Sequence, residues 1–84
     1  MERIIFSLHA KQQMQERGAS GKEVTEAILN GESNPAKHGR ILCRKNFQYN
    51  DKWANKFYHI KQVVPVIKKE ANNITVITVY TFYF

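Results

Sequence analysis

The spacing of apolar residues changes once along this 84-residue chain, close to residue 40. Before that point apolar side chains recur every three or four residues, as they do on one face of a helix. After it, Ile41, Cys43 and Phe47 alternate with polar residues, which is typical of a strand with one buried face. The chain therefore divides into a helical first part and a strand-rich second part.

The first helix has a start signal and a stop signal. Ser7 is a good N-cap, because its hydroxyl can accept a hydrogen bond from a free amide of the first turn. Gly18 lies where a helix commonly ends on a left-handed residue. These two residues predict a helix over about Leu8–Arg17.

A second helix follows almost at once. Ser20 and Glu23 form a capping box, in which each side chain accepts from the other residue's backbone amide. Val24 and Ala27 then fall on one face, and the helix is expected to end near Gly31.

The rest of the chain predicts short connections and strands. Ile4–Phe6 can pair as an edge strand, 31–39 is expected to be a loop, and Asn50-Asp51 indicates a turn. A further strand lies within 57–68, where Pro65 requires a bulge or an edge position because it cannot donate a backbone hydrogen bond.

A turn over 71–73 precedes a long final strand, 74–84, rich in β-branched and aromatic residues. The predicted order is β-α-α-β-β-β. We therefore expect an α+β fold, residues 1–84 forming one domain, with two helices packed on an antiparallel sheet of three to four strands.

The net charge of +6 is unevenly distributed. Residues 1–32 carry four Lys/Arg and five acids, whereas residues 33–84 carry nine Lys/Arg and two acids. A strongly basic second part favours a polyanionic partner such as nucleic acid, or an acidic protein. The alternative is that these cations only keep the sheet soluble and deter aggregation at its edges.

Several classes of site are not expected. Cys43 is the single cysteine, so an internal disulfide is excluded. The histidines His9, His38 and His59 lack the spacing of metal ligands, and glycine-rich phosphate loops are absent, so we expect no metal or cofactor. The apolar stretch 74–84 is too short to span a bilayer, so a soluble cytoplasmic protein is expected.

One set of residues carries a family resemblance: His9-Ala10, Met14, Arg17-Gly18, Glu23-Val24 and Ile77-Thr78-Val79-Tyr80. The pattern resembles the family known as domain of unknown function 4258, which is similar to the barnase–EndoU–colicin–RelE group of ribonuclease toxins. The resemblance is dense over 4–31 and 74–81. It implies the same α+β architecture, RNA as substrate, and an acidic antitoxin or immunity protein as partner. A toxin of this kind can also be delivered to the cytoplasm of a target cell.

Metal-independent RNA cleavage needs a base, an acid and a cation that faces the phosphate. His9, near the positive end of a helix dipole, is the candidate base, and Arg17 is the candidate phosphate ligand. Thr78 and Tyr80 are expected on one side of the last strand, together with Ile74, Val76 and Phe82, and offer hydroxyl donors. His59 is a candidate second acid or base. The structural alternatives are a packed histidine, an arginine that complements the helix dipole, and ordinary strand formers.

The candidate RNA-binding residues are cations of the strand-rich part: Arg40, Arg44, Lys45, Lys56 and Lys61. Three functions stay open from the sequence. The chain is a metal-independent ribonuclease toxin domain, a non-catalytic basic module that binds nucleic acid or an acidic protein, or a family member without an intact active site. The first requires His9, Arg17 and at least one of Thr78 and Tyr80 to line a common depression, with side chains within about 10 Å of one another.

If the basic part binds RNA or an acidic protein, affinity should fall steeply as salt rises, because binding releases counterions. We expect a loss of more than about tenfold between about 50 mM and about 200 mM salt. Fluorescence anisotropy with a labelled RNA measures this directly. Equal affinities at the two salt concentrations would mean that the cations only solubilise the fold.

Overall fold

A computed structural model describes residues 2–84. Its helices and strands follow this order: β1 (Arg3–Phe6), α1 (Leu8–Arg17), α2 (Gly21–Asn30), β2 (Glu32–Pro35), a short 3-10 helix (Lys37–Gly39), β3 (Ile41–Trp53), β4 (Lys56–Lys69) and β5 (Asn73–Tyr83). The α+β class and the order of the long elements are as the sequence predicts.

The sheet has five strands in the order β1-β5-β4-β3-β2. β1 runs parallel to β5, and the other neighbours are antiparallel. The expectation of three to four antiparallel strands is therefore wrong in number and in the direction of one pair. β2 lies inside the segment predicted to be a loop. The sequence does not predict this strand because all four of its residues are exposed, so buried and exposed positions do not alternate along it.

Both predicted helix starts are confirmed in atomic detail. The Ser7 hydroxyl accepts from the Ala10 amide, and Ser20 and Glu23 form both bonds of the capping box. α1 ends at Gly18, whose φ of 74° is left-handed. A side chain there would also place its Cβ 2.8 Å from the Trp53 ring, so glycine is needed both for conformation and for close packing.

The turn predicted at Asn50-Asp51 is wrong. β3 continues through these residues to Trp53, with an irregular register between Gln48 and Asp51. The hairpin turn is formed by Ala54 and Asn55, whose φ angles are 52° and 68°. Two consecutive positive φ values are typical of tight hairpin turns, whose twist matches that of the flanking strands. Asn50 also has a positive φ, but it lies within the irregular part of β3.

Pro65 is fully buried in β4, which lies between β3 and β5, so an edge position is excluded. The expected irregularity lies close by, on the neighbouring strand. Val66 is paired with Thr78, but Ile67 is paired with Val76, so β5 carries one extra residue, Ile77. This bulge changes which β5 side chains share a face.

Both helices pack on one face of the sheet. Ala10 of α1 and Val24 of α2 belong to one buried cluster with Cys43, Val63 and Val76 from three successive strands. The opposite face carries no helix of the described chain. Within residues 2–84, no helix is long and apolar enough to cross a membrane.

Two ion pairs attach α2 to the sheet. Lys61 on β4 is buried, and its ammonium lies 2.8 Å from the Glu23 carboxylate. Lys45 on β3 lies 2.9 Å from Glu26, in a more exposed pair. Burial raises the pKa of Glu23, but hydrogen bonds from Lys61 and the Ser20 amide outweigh it and hold the pKa below its ordinary value of 4.5.

We expect Glu23→Gln to lower the free energy of unfolding at neutral pH by about 1–3 kcal/mol, because it leaves the Lys61 ammonium buried without its countercharge. Glutamine keeps the acceptor oxygen of the capping box, so the change isolates the ion pair. The matched control is Glu26→Gln, which should change the free energy of unfolding much less, because solvent screens its more exposed pair with Lys45.

The effect of Glu23→Gln should also depend on pH. The folded-state pKa of Glu23 is depressed, so its stabilisation is present above about 4.5 and is lost as pH falls through the lower folded value. Urea unfolding of both proteins at several pH values tests this. A difference that is absent at neutral pH, or that grows on acidification, would contradict the assignment.

Candidate functional site

The last carbonyls of α1 are bonded by side chains of the sheet. The Arg17 carbonyl accepts from the Thr81 hydroxyl at 2.9 Å and from the Tyr83 hydroxyl at 2.7 Å. The neighbouring Gly18 carbonyl accepts from Lys61. Helix ends leave such carbonyls without partners inside the helix, so these contacts fix both the position and the rotation of α1 on β5.

Aromatic rings pack around this helix end. Trp53 stacks on Tyr83 with ring centroids 4.9 Å apart, and Tyr49 meets Tyr83 edge-on at 5.2 Å. Burial, followed by the neighbouring Tyr49 hydroxyl, raises the pKa of Tyr83 to about 12. Tyr83 therefore stays protonated and can donate to α1 throughout the physiological range.

α1 also supplies hydrogen-bond partners to the edge of β5 beyond the end of β1. β1 ends at Phe6, and its last register partner on β5 is Val76. The Ser7 amide then donates to the Val76 carbonyl at 3.1 Å, and the Ser7 hydroxyl donates to the Ile77 carbonyl at 3.1 Å. Beyond Ile77 the partners of this edge come from α1.

Gln13 and Arg17 supply those partners. The Gln13 side-chain oxygen accepts from the Val79 amide at 2.9 Å and also from the Thr78 hydroxyl. The Arg17 guanidinium donates to the Val79 carbonyl at 2.8 Å and lies 5.2 Å from the centre of the Tyr80 ring. Helix side chains thus take the place of a missing neighbouring strand, which protects an otherwise open edge.

His9, Gln13 and Arg17 follow one another at intervals of four residues on α1, about 6 Å apart along the axis. We call them the α1 row. His9 is exposed in the first turn, roughly 12 Å along the axis from Arg17. The structure brings Arg17 to Tyr80 and Gln13 to Thr78. His9 lies about one helical turn before Gln13, and its convergence with the hydroxyls of Thr78 and Tyr80 stays a prediction.

The expectation that Thr78 and Tyr80 share a side with Ile74 and Val76 needs correction. Ile74 and Val76 belong to the core under the helices, but the bulge at Ile77 reverses the alternation. Tyr80 therefore lies toward the helix-free face, whereas the Thr78 hydroxyl reaches α1 at the sheet edge.

His59 lies apart from this group. Its Nδ1 is 3.1 Å from the Asn50 side-chain oxygen, near the β3–β4 turn. Tyr80 is paired with Val64, which is five residues, or roughly 16 Å, along β4 from His59. The structure therefore does not bring His59 together with Arg17 and Tyr80.

The five predicted RNA-binding cations have different surroundings. Arg40 and Arg44 are exposed, and the exposed Lys56 lies 5.6 Å from the Tyr58 ring. Lys45 is half-buried and paired with Glu26. Lys61 does not fit the expectation of a surface cation, because burial and its bonds to Glu23 and Gly18 make it part of the core.

Gln13 is not among the site residues that the sequence predicts. The spacing could have indicated its position, because a residue four places after His9 and four places before Arg17 lies on the same side of a helix as both. Phe82 was also missed as a surface residue. The sequence predicts it on the same side of the last strand as Tyr80 without giving it a role, and the structure places both on the open face.

The family model described as Domain of unknown function (DUF4258) matches residues 6–81. The match spans α1, α2 and nearly all of the sheet, including the α1 row and Tyr80. Comparison with curated proteins and with solved structures gave no match.

The role of Gln13 at the sheet edge can be tested by stability. Gln13→Ala should lower the free energy of unfolding by about 1–3 kcal/mol, because it leaves the buried Val79 amide and the Thr78 hydroxyl without an acceptor. Gln12→Ala, an exposed change on the same helix, should have an effect within about 0.5 kcal/mol. Thermal and urea unfolding measure both.

Gln13→Glu keeps an acceptor oxygen and should recover most of the lost stability. If Gln13→Ala and Gln12→Ala are equally stable, the side-chain bonds at the β5 edge do not hold the helix.

Proposed function

Given that this chain belongs to the family described as Domain of unknown function (DUF4258), we propose, from the arrangement of its own residues, that it is a metal-independent endoribonuclease. The observation that carries the proposal is the contact of the Arg17 guanidinium with the Tyr80 ring, in line with His9 along the α1 row. A cation, a hydroxyl and an imidazole then follow one edge of the sheet. These are the groups that RNA cleavage by its own 2′-hydroxyl requires.

In this proposal His9 acts as the base. Its imidazole takes the proton of a 2′-hydroxyl, and that oxygen attacks the adjacent phosphorus. The new bond gives a 2′,3′-cyclic phosphate, while the bond to the 5′-oxygen breaks. The leaving oxygen takes a proton, for which the proposed donor is the Tyr80 hydroxyl, because the Arg17 guanidinium lies 5.2 Å from the centre of the Tyr80 ring.

Arg17 has capacity for a phosphate beside its structural bond. One of its nitrogens donates to the Val79 carbonyl, but a guanidinium carries five N–H donors in a planar fork. The remaining donors can meet the phosphoryl oxygens, where negative charge increases in the transition state. The bond to Val79 and the Tyr80 ring hold the guanidinium in place beforehand.

We infer further that the domain is the toxin of a toxin–antitoxin or toxin–immunity pair. Its net charge of +6 and its open basic surface suit an acidic partner that covers the RNA site. Such a partner should inhibit RNA cleavage in proportion to its binding. A partner that binds tightly while cleavage continues would exclude this mode of control.

A non-catalytic binding module is the second candidate. The observation in its favour is that Thr78 and Arg17 already have partners within the fold, Gln13 and Val79. Under this alternative, the α1 row only holds the sheet edge, and RNA or an acidic protein binds elsewhere on the basic surface. The two candidates differ in what they expect of His9, which is exposed and free of these structural bonds to β5.

We expect the protein to cleave single-stranded RNA in EDTA and His9→Ala to reduce the rate by about 10²–10⁴-fold, the usual contribution of a general acid or base. The products should carry 2′,3′-cyclic phosphates. Gln12→Ala, on a different face of α1, is the matched control and should retain full activity.

Circular dichroism would first establish that both variants are folded. The nuclease proposal fails if His9→Ala keeps wild-type activity, or if the purified wild-type protein cleaves no RNA. The second result, combined with salt-dependent RNA binding, would favour the binding module.

A further inference from the structure

The helix-free face of the sheet carries a shallow groove across β3, β4 and β5. Six residues line it: Leu42, Arg44, Gln62, Val64, Tyr80 and Phe82. Strand register confirms that they are neighbours, because Tyr80 is opposite Val64 and Phe82 is opposite Gln62. The groove therefore spans the three central strands of the sheet.

Two aromatic side chains form the floor of this groove at one end. Tyr80 is 41% exposed and Phe82 is 51% exposed, which is high for residues within a long strand. They are two residues apart on the same face, so their attachment points lie roughly 7 Å apart. Exposed rings at this spacing on a sheet can stack successive bases of a single strand.

The charge around the groove suits a polyanion. Arg44 lines it directly, and the Arg17 guanidinium lies 5.2 Å from the Tyr80 ring at its border. Glu32, which is in register with Arg44, lies on the outermost strand β2. Tyr80 thus joins the groove to the proposed cleavage site, with a cation on each side.

We propose that the substrate is single-stranded RNA, which lies across the helix-free face with adjacent bases stacked on Tyr80 and Phe82. This rests on the proposed ribonuclease function and adds the substrate class and the path of the strand. A duplex keeps its bases paired and stacked on one another, so it cannot offer their faces to these rings. Unpaired RNA can, and ring stacking tolerates any base.

The test measures binding without cleavage. A labelled single-stranded oligonucleotide with 2′-O-methyl groups on every sugar cannot form the cyclic phosphate, so its affinity is independent of the nuclease activity. We expect Phe82→Ala to weaken its binding by about 5- to 100-fold, the usual effect of removing one stacking ring.

Phe57→Ala is the matched control, because Phe57 is also 51% exposed but its ring lies against His59 near the β3–β4 turn. It should change affinity by less than about twofold. The duplex of the same sequence should bind more weakly than the single strand. Phe82→Tyr should keep the affinity for the single strand, because it retains a ring. Phe82→Leu should lose affinity although it retains most of the apolar volume, which makes it a check that the loss comes from the missing ring and not from misfolding.

Equal affinity of wild type, Phe82→Ala and Phe82→Leu would overturn the proposal and leave the groove to a protein partner. Equal binding of duplex and single strand would also overturn it. Neither result bears on the nuclease proposal, which is decided by the effect of His9→Ala on cleavage.

Discussion

The attachment of the end of α1 to β5 is the interaction on which the rest of this structure depends. Thr81 and Tyr83 donate to the Arg17 carbonyl, and Lys61 donates to the Gly18 carbonyl. These polar contacts satisfy a helix end that would otherwise be buried without partners. They also set the rotation of α1, so that Gln13 and Arg17 face the edge of β5. Without this docking, β5 would expose an unpaired edge and Arg17 would not reach Tyr80.

The residues that hold α1 on β5 therefore include one, Arg17, that also has a proposed role in binding RNA. Arg17 closes the sheet edge through Val79 and at the same time lies beside Tyr80. A side chain held in this way would lose little freedom on binding the phosphate that we propose for it. Under the proposed function, substitutions of Arg17 would therefore lower both the stability of the fold and its affinity for RNA. His9 is the better probe of chemistry, because it is exposed and outside the network at the edge.

Local sequence signals predicted the starts of both helices and the end of α1, but not the position of the β3–β4 turn. Ser7, Gly18 and the Ser20–Glu23 pair define helix ends through short-range bonds, and each is where the pattern indicates. What the sequence could not provide depends on distant pairing. β2 forms by pairing with β3, and the bulge at Ile77 arises where β5 changes register with β4. Because that bulge reverses the faces of β5, the sequence did not predict how Thr78 and Tyr80 are arranged relative to the core.

The central claim is that RNA meets the protein along the α1 row and the adjoining part of β5. Nuclear magnetic resonance of the labelled protein, titrated with a 2′-O-methyl RNA strand, tests it most directly. The account predicts the largest shifts at the His9 ring, the Arg17 guanidinium and the β5 residues near Tyr80. Shifts confined to the lysines near the β3–β4 turn, with α1 and β5 unchanged, would contradict it.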